Sequence, residues 1–470
     1  MRRLLWILLI TACSWQPTLI GSPAVAVEDA VKLPPFTKVQ LKNGMTLLLM
    51  EQHEVPLISM TVLVKTGSVA DPKGKEGVAA VAADLLKKGT KTRSSEQIAA
   101  DLDFTGGNFD MTGSLDNTSG NAEFMKKDIR RGLELISDVL MNPTFPQDEV
   151  KKLLDQNIDE LKAAKDRASS VIGRYYNAYL FGSHPYGRPI GGDETSLPSI
   201  TRADVVKFYD TYYVPSNVIL AAAGDFNVAE MRRFIEERFG GWASKPVPPV
   251  NVEAPESATG RRLLLVDKPD STQTYFYVGN VGIARTNPDR IAISVVNALF
   301  GGLFTSRLNT ALRIDSGLTY GAISSFTQRR QPGPFVISTY TKNATTEQAI
   351  DLVLQILKDL HDKGMTADEI KHAKAYLKGQ YATNLETTNQ LASTIATLEF
   401  YGLDSSDVDS YYAKVDALTV DQARRIINQY FPLDNLVFVL IGKAEEIEPI
   451  ARKYAPKIDR KSITQPGFNP

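Results

Sequence analysis

Apolar and polar positions along this chain follow two periods, and the switches between them mark out its elements. Lys38 to Gly44 alternates and ends in an Asn-Gly turn, and Met45 to Met50 reads as the return strand. Leu57 to Lys65 is a longer apolar run suited to a central strand. At Gly77 to Thr90 the period becomes helical: Val78, Val81, Ala82, Leu85 and Leu86 recur at helix spacing and the last turn is basic. Ser94 to Leu102 predicts a second helix with Ser94 and Ser95 as cap candidates. Gly106 and Gly107 then turn the chain into two strands, Asn108 to Leu115 and Thr118 to Phe124. Asp128 to Met141 is amphipathic and helical, and Gln147 to Leu180 reads as long helix interrupted near Asp166. A loop, Gly182 to Arg188, leads to a helix (Thr201 to Tyr213), a strand (Val218 to Ala223) and a helix (Val228 to Phe239).

The second half repeats this order. Strands are expected at Arg262 to Val266, Thr274 to Val278, Leu318 to Thr327 and Gly333 to Thr341, and helices at Arg290 to Leu299, Thr345 to Lys363 and Thr366 to Leu391. The ends of the halves match best. Each has a Thr-initiated helix, then a Pro-containing turn ending in Asn217 or Asn435, then an apolar strand closed by Gly224 or Gly442, with both pairs 218 residues apart. That spacing is duplication of a whole domain, far longer than a solenoid repeat of ~20–50 residues. Ala243 to Ser257, with four prolines, is the boundary. Mixed strands and helices with an antiparallel hairpin opening predict α+β layers. The expected division is a leader (1–26), a first domain (36–243), a linker (244–257), a second domain (258–455) and a tail (456–470).

Composition changes this picture little. At 470 residues the chain exceeds the ~250–300 at which single cores stop growing. A net charge of −1 gives no electrostatic reason to bind nucleic acid or an acidic membrane surface. Arg2 and Arg3, the apolar run Leu4 to Ile10 and Ala24-Val25-Ala26 form an export signal with a small-x-small cleavage site, which places the expected product in a bacterial periplasm. The single cysteine, Cys13, lies within the signal and offers lipid anchoring as the alternative to cleavage. No later segment reads as long and apolar enough to span a bilayer.

The candidate chemistry begins at Gly77 to Thr90, GVAAVAADLLKKGT. Gly77, Val78, Ala79, Gly89 and Thr90 resemble the metal-binding helix of the pitrilysin/insulinase family of zinc peptidases, G-(L/V)-A-H-F-L-E-H-M followed by G-T. In that frame Ala80 stands at the first zinc histidine, Ala83 at the general-base glutamate and Asp84 at the second histidine. Residues at i and i+4 share a helix face, so a histidine pair there can grip one ion, but an alanine methyl donates nothing. A catalytic zinc takes about three protein ligands. Asp84 and the carboxylate at the family's third position, Glu160 or its neighbour Asp159, leave the set short, so no metal is expected in this chain.

The resemblance extends over Phe36 to Tyr454 and implies two homologous domains, each a mixed, mainly antiparallel sheet with helices on one face. It also implies roles. Gly106 and Gly107 match the start of the family's substrate-pairing edge strand, although Asp110 and Met111 replace its Asn-Ala. Gly182-Ser-His-Pro-Tyr-Gly-Arg188 matches G-x-H-P-Y-G-R, with His184 structural. Gly301-Gly302-Leu-Phe-Thr-Ser-Arg-Leu308, Leu312-Arg313 and Gly317-Leu-Thr-Tyr320 match the family's second-half motif. There an arginine and a tyrosine seven residues apart reach the substrate at the zinc, as Arg313 and Tyr320 would, and a guanidinium and a phenol can both donate to a developing oxyanion. The chain thus resembles the non-zinc subunit of heterodimeric members: inactive alone, completing the site of a zinc-bearing homologous subunit that cleaves unfolded peptides. The other expectation is a metal-free peptide-binding or scaffold protein of the same fold.

Overall fold

The computed structural model describes residues 31–470. The export signal and Cys13 therefore lie outside the described residues. Two sheets carry the fold. The first holds β1 (Thr37–Gln40), β2 (Thr46–Glu51), β3 (Leu57–Val64), β4 (Asn108–Phe109), β5 (Thr112–Gly113), β6 (Thr118–Met125) and β7 (Val218–Gly224), in the order β1-β2-β7-β3-β6-β4 with β5 also on β6. The second holds β8 (Arg262–Asp267), β9 (Gln273–Val281), β10 (Ile323–Gln328), β11 (Pro332–Lys342), β12 (Val437–Gly442) and β13 (Lys457–Ser462), in the order β10-β11-β9-β12-β8-β13. The duplication is visible in the pairing. β2 runs parallel to β7 with Leu48 opposite Ala221, and β8 runs parallel to β12 with Leu264 opposite Val439. β7 and β12 in turn pair antiparallel with β3 and β9.

The central strands β7 and β12 are apolar at every position because each sheet is covered on both faces. Along β7, Leu220 and Ala222 enter one core, and Ile219, Ala221 and Ala223 enter another. Along β12, Phe438 and Leu440 enter one core, and Val437, Val439 and Ile441 enter another. The first face of the first sheet is covered by its own helices, including α1 (Val78–Leu85), α2 (Ser95–Thr105) and α3 (Ile129–Met141). The opposite faces are covered by exchange. After α4 (Gln147–Lys165), α5 (Ala168–Phe181) leaves the first half and packs on β9 and β12. The helix Thr388–Tyr401 leaves the second half and packs on β3 and β7 through Leu391, Ala392, Ile395 and Ala396.

Several sequence expectations change here. The helix expected at Thr366 to Leu391 is two, Ala367–Thr383 and Thr388–Tyr401, because Thr387 caps a new helix that turns toward the other half. Helices cover both faces of each sheet, and the halves interlock beyond the linear boundary expected at 244–257. The tail expected at 456–470 instead adds β13 to the edge of the second sheet, parallel to β8. The strand expected from Leu318 starts at Ile323, since Thr319 folds its hydroxyl back onto the Gly321 carbonyl (3.1 Å) and the Leu318 N–H bonds Leu312. Among the described residues Arg290–Asp315 is long and apolar enough to cross a membrane by length and composition, against the expectation of none. Half of an 18-residue apolar window within it is buried, and Ile291, Val295, Phe300, Leu308 and Leu312 of the stretch lie in the second core.

Candidate functional site

Helix α1 is built to be packed. Gly77 enters it at φ +105°, and a Cβ there would lie 2.8 Å from the Gly192 nitrogen, so only glycine fits. With no capping side chain at Gly77, the buried Asp71 supplies the cap, accepting the Gly77 N–H at 2.7 Å and the Ala79 N–H at 3.0 Å. Burial pushes the Asp71 carboxyl up to about 8 despite these bonds.

The three metal-frame positions have different environments. Ala83 is buried, 2% exposed, in the first core. Ala80 is half-buried against β5, where a Cβ on Gly113 would fall 2.8 Å from the Ala80 Cα. Asp84 is exposed at the end of the helix, yet surrounding protein displaces enough water to push its carboxyl up to about 6. Glu160, exposed on α4, adds like charge to Asp84, and Lys87 and Lys88 oppose it. Glu160 thus lies near enough to act on the charge of Asp84. Asp159 pairs instead with Lys162 at 3.6 Å. Two carboxylates and a methyl do not fit a zinc ion, and no group of three or more His, Cys, Asp or Glu side chains among the described residues could hold a metal.

The edge strand beside α1 is split. Asp110 and Met111 separate β4 from β5, Met111 turns into the core, and Asp110 pairs with Lys87. Gly106 and Gly107 end α2: Gly106 takes φ +59°, and a Cβ on Gly107 would meet the Phe124 ring at 2.4 Å. The edge of the second sheet is different. β10 is one six-residue strand, with a register shift between Phe326 and Gln328, and is tied to α8 (Arg290–Asn297) by the Asn297 amide, which donates to the Ser324 carbonyl at 2.9 Å.

Gly301 and Gly302 finish a π-helical turn that continues α8 (Ala298–Gly302). A Cβ on Gly301 would lie 2.7 Å from the Ser324 nitrogen, so the glycine lets this turn press on β10. Ser306 caps the next turn, and Arg307 is clamped by Glu369 (2.9 Å) and the Gly364 carbonyl (2.8 Å). This clamp, unassigned in the sequence reading, holds the base of a second π-helical turn, Thr310–Asp315. Arg313 projects from that turn into solvent, its guanidinium 4.7 Å from the centre of the Phe304 ring. Tyr320 is 77% exposed. Among the described residues neither side chain has a hydrogen bond or a carboxylate partner, and no such contact joins them to Asp84 or Glu160. Phe304 (62%), Ile314 (56%) and Ile323 (57%) surround them with exposed apolar surface.

The loop Gly182–Arg188 serves the fold. His184 accepts the Tyr186 N–H at 3.0 Å and its other ring nitrogen meets the Glu253 carbonyl at 2.9 Å. Tyr186, missed in the sequence reading, donates to Asp116 at 2.9 Å and accepts the Gln331 N–H at 2.9 Å, while the Arg330 N–H also reaches Asp116 at 3.0 Å. The turn between β5 and β6 is thereby fixed to the turn between β10 and β11.

A duplicated two-sheet fold with interlocked halves and a peptidase-like helix stripped of metal donors defines the class. The model described as insulinase (peptidase family M16) matches residues 47–194, and the one described as peptidase M16 inactive domain matches residues 199–377. The chain belongs to peptidase family M16, the insulinase family. It is 26% identical over 413 residues to an uncharacterized zinc protease of Mycobacterium leprae, covering 87% of this chain and 92% of the relative. It is 22% identical over 438 residues to a probable mitochondrial-processing peptidase subunit beta of Arabidopsis thaliana, covering 90% of this chain and 82% of that one. The crystal structure of a peptidase M16 inactive domain from Pseudomonas fluorescens superposes with a TM-score of 0.82 at 25% identity, covering 87% of this chain and 98% of the other. A protease from Helicobacter pylori shares the fold with a TM-score of 0.81 at 22% identity, covering 87% of this chain and all of the other.

Proposed function

We propose that this chain is the non-zinc subunit of a heterodimeric metallopeptidase, exported to the periplasm, that lends Arg313 and Tyr320 to a zinc-bearing homologous subunit. The observation that carries the reading is the uncommitted state of these two donors. An exposed guanidinium and an exposed phenol, without a hydrogen bond or ion pair among the described residues, suit an oxyanion or peptide carbonyl presented from outside. The metal-frame positions of the same chain offer two carboxylates and no histidine, short of a zinc site, so in this reading the hydrolytic water and its zinc belong to the partner. Gly301 and Gly302 support the turns behind the pair, and an unfolded peptide is the substrate class. Gly106 and Gly107 take a lesser part, since the strand they lead into is split. Any membrane attachment would come through a lipid on Cys13.

The test is peptide hydrolysis by a zinc-bearing homologue from the same organism, with and without this chain. The reading expects a rate gain that disappears when Arg313→Ala or Tyr320→Phe is used. A stable complex with no gain in rate overturns it in favour of a scaffold or peptide-binding role for the same fold.

A further inference from the structure

The segment after β13 makes contacts that a free end would not. Phe468 is 1% exposed and meets the Tyr175 ring edge-on, with centroids 5.0 Å apart at 77°. Ile463 is buried in the same core. Between them, the Gln465 carbonyl accepts from the Lys165 ammonium at 2.7 Å, and the Gly467 N–H donates to Glu194 at 3.0 Å. Lys165 and Glu194, both largely buried, pair at 2.5 Å. A buried ammonium persists only where its charge and its N–H donors are met, and half of that satisfaction here comes from the segment itself.

Tyr175, Lys165 and Glu194 all belong to the first half, whereas β13 belongs to the second sheet and the Ile463 N–H still bonds the Asp267 carbonyl of β8 at 3.0 Å. Tyr175 lies on α5, the helix that crosses into the second half. Its neighbours Tyr176 and Tyr179 anchor it there, donating to the Phe335 carbonyl at 3.1 Å and to Asp459 of β13 at 2.8 Å. Glu194 follows the loop at Gly191 and Gly192, which lies against the entrance to α1, and Ser196 donates to the Glu76 carbonyl at 2.8 Å.

We infer that Ile463–Phe468 is a strap that closes over α5 and sets the angle between the two halves, and with it the orientation of the α1 edge relative to the Arg313–Tyr320 face. The inference does not depend on the peptidase reading, because it concerns how the halves of one chain are held. A bound segment, not a covalent link, provides the closure, so the groove formed by Tyr175, Lys165 and Glu194 should accept the same sequence supplied separately.

The experiment places spin labels at the exposed positions Lys91 and Lys358, one in each half, in a Cys13→Ser background. Distances are compared between the full chain and a chain stopped at Ser462. Removal of the strap is expected to broaden and shift the distance distribution and to speed hydrogen exchange of α5 amides about tenfold or more. A synthetic peptide of residues 463–470 should restore both, and Glu194→Gln should weaken that rescue. An unchanged distribution with unchanged exchange in α5 overturns the strap. If the shortened chain does not fold, Phe468→Ala in the full chain decides: the same shift supports the inference, and a native distribution and exchange pattern overturns it.

Discussion

The two halves share one strand order and one mode of helix exchange, yet they treat their functional edges in opposite ways. In the first half, α1 is sealed: Ala83 lies in the core, Ala80 abuts Gly113, and the neighbouring strand is split at Asp110, which pairs with Lys87. In the second half, Arg313 on the second π-helical turn and Tyr320 in the loop before β10 stand out in solvent with no hydrogen bond or ion pair among the described residues. Packing is satisfied in the first and left open in the second. An exposed aromatic beside an exposed guanidinium adds little to stability, and the proposed recognition role would account for both. The lesson is that a lost site is recognised by where donors have been replaced by core atoms, and a candidate surface by donors that the fold leaves exposed.

The comparison can be broken most forcefully at the exposed pair. In the mixed-subunit assay, removing either donor should lower kcat/KM by about 10²–10³-fold, the scale of an oxyanion contact. Thermal unfolding of Arg313→Ala and Tyr320→Phe should stay close to that of the unaltered chain, because neither side chain is buried. The next effect tests the exchange of helices. Ile395→Ala, on the helix that crosses to the first sheet, should cost about 2–5 kcal/mol in urea unfolding, as for other truncations in a filled core. A comparable loss is expected at the sealed helix: Ala83→Glu puts an unpaired carboxylate in the first core and should cost about 3–5 kcal/mol by the same measurement.

A separate effect is on pH dependence. The Asp71 carboxyl is pushed up to about 8 by burial, so the folded chain holds a proton that the unfolded chain releases near the ordinary carboxylate value. Its contribution to stability is present in acid and is lost as pH rises toward 8, after which it is flat. Asp71→Asn should remove this decline, which urea unfolding at pH 5 and pH 8 would show as a smaller difference between the two conditions.

Much of this was legible from residue patterns, and the failures have physical causes. Strands β2, β7, β8 and β12 announce themselves as apolar runs, because burial on both faces removes polar positions. The loss of metal chemistry is readable from single residues, since Ala80 and Ala83 cannot ligate or take a proton. The exchange of α5 and Thr388–Tyr401 was hidden because an apolar helix face does not say which sheet it covers. The role of 457–468 was hidden for a related reason: Lys457, Asp459, Arg460 and Lys461 look solvated, as suits an edge strand, and Phe468 stands alone in a polar stretch. The split at Asp110 left a trace in the substitution of Asn-Ala by Asp-Met, but only the fold shows that Met111 turns inward. Tyr186 went unnoticed beside His184 because its hydroxyl partners, Asp116 and Gln331, are distant in sequence.

The most direct test of the central asymmetry is the zinc content and peptidase activity of the purified single chain. The account predicts no stoichiometric zinc and no hydrolysis that a chelator removes. One zinc per chain, with peptide cleavage abolished by chelation and restored by zinc, would contradict it.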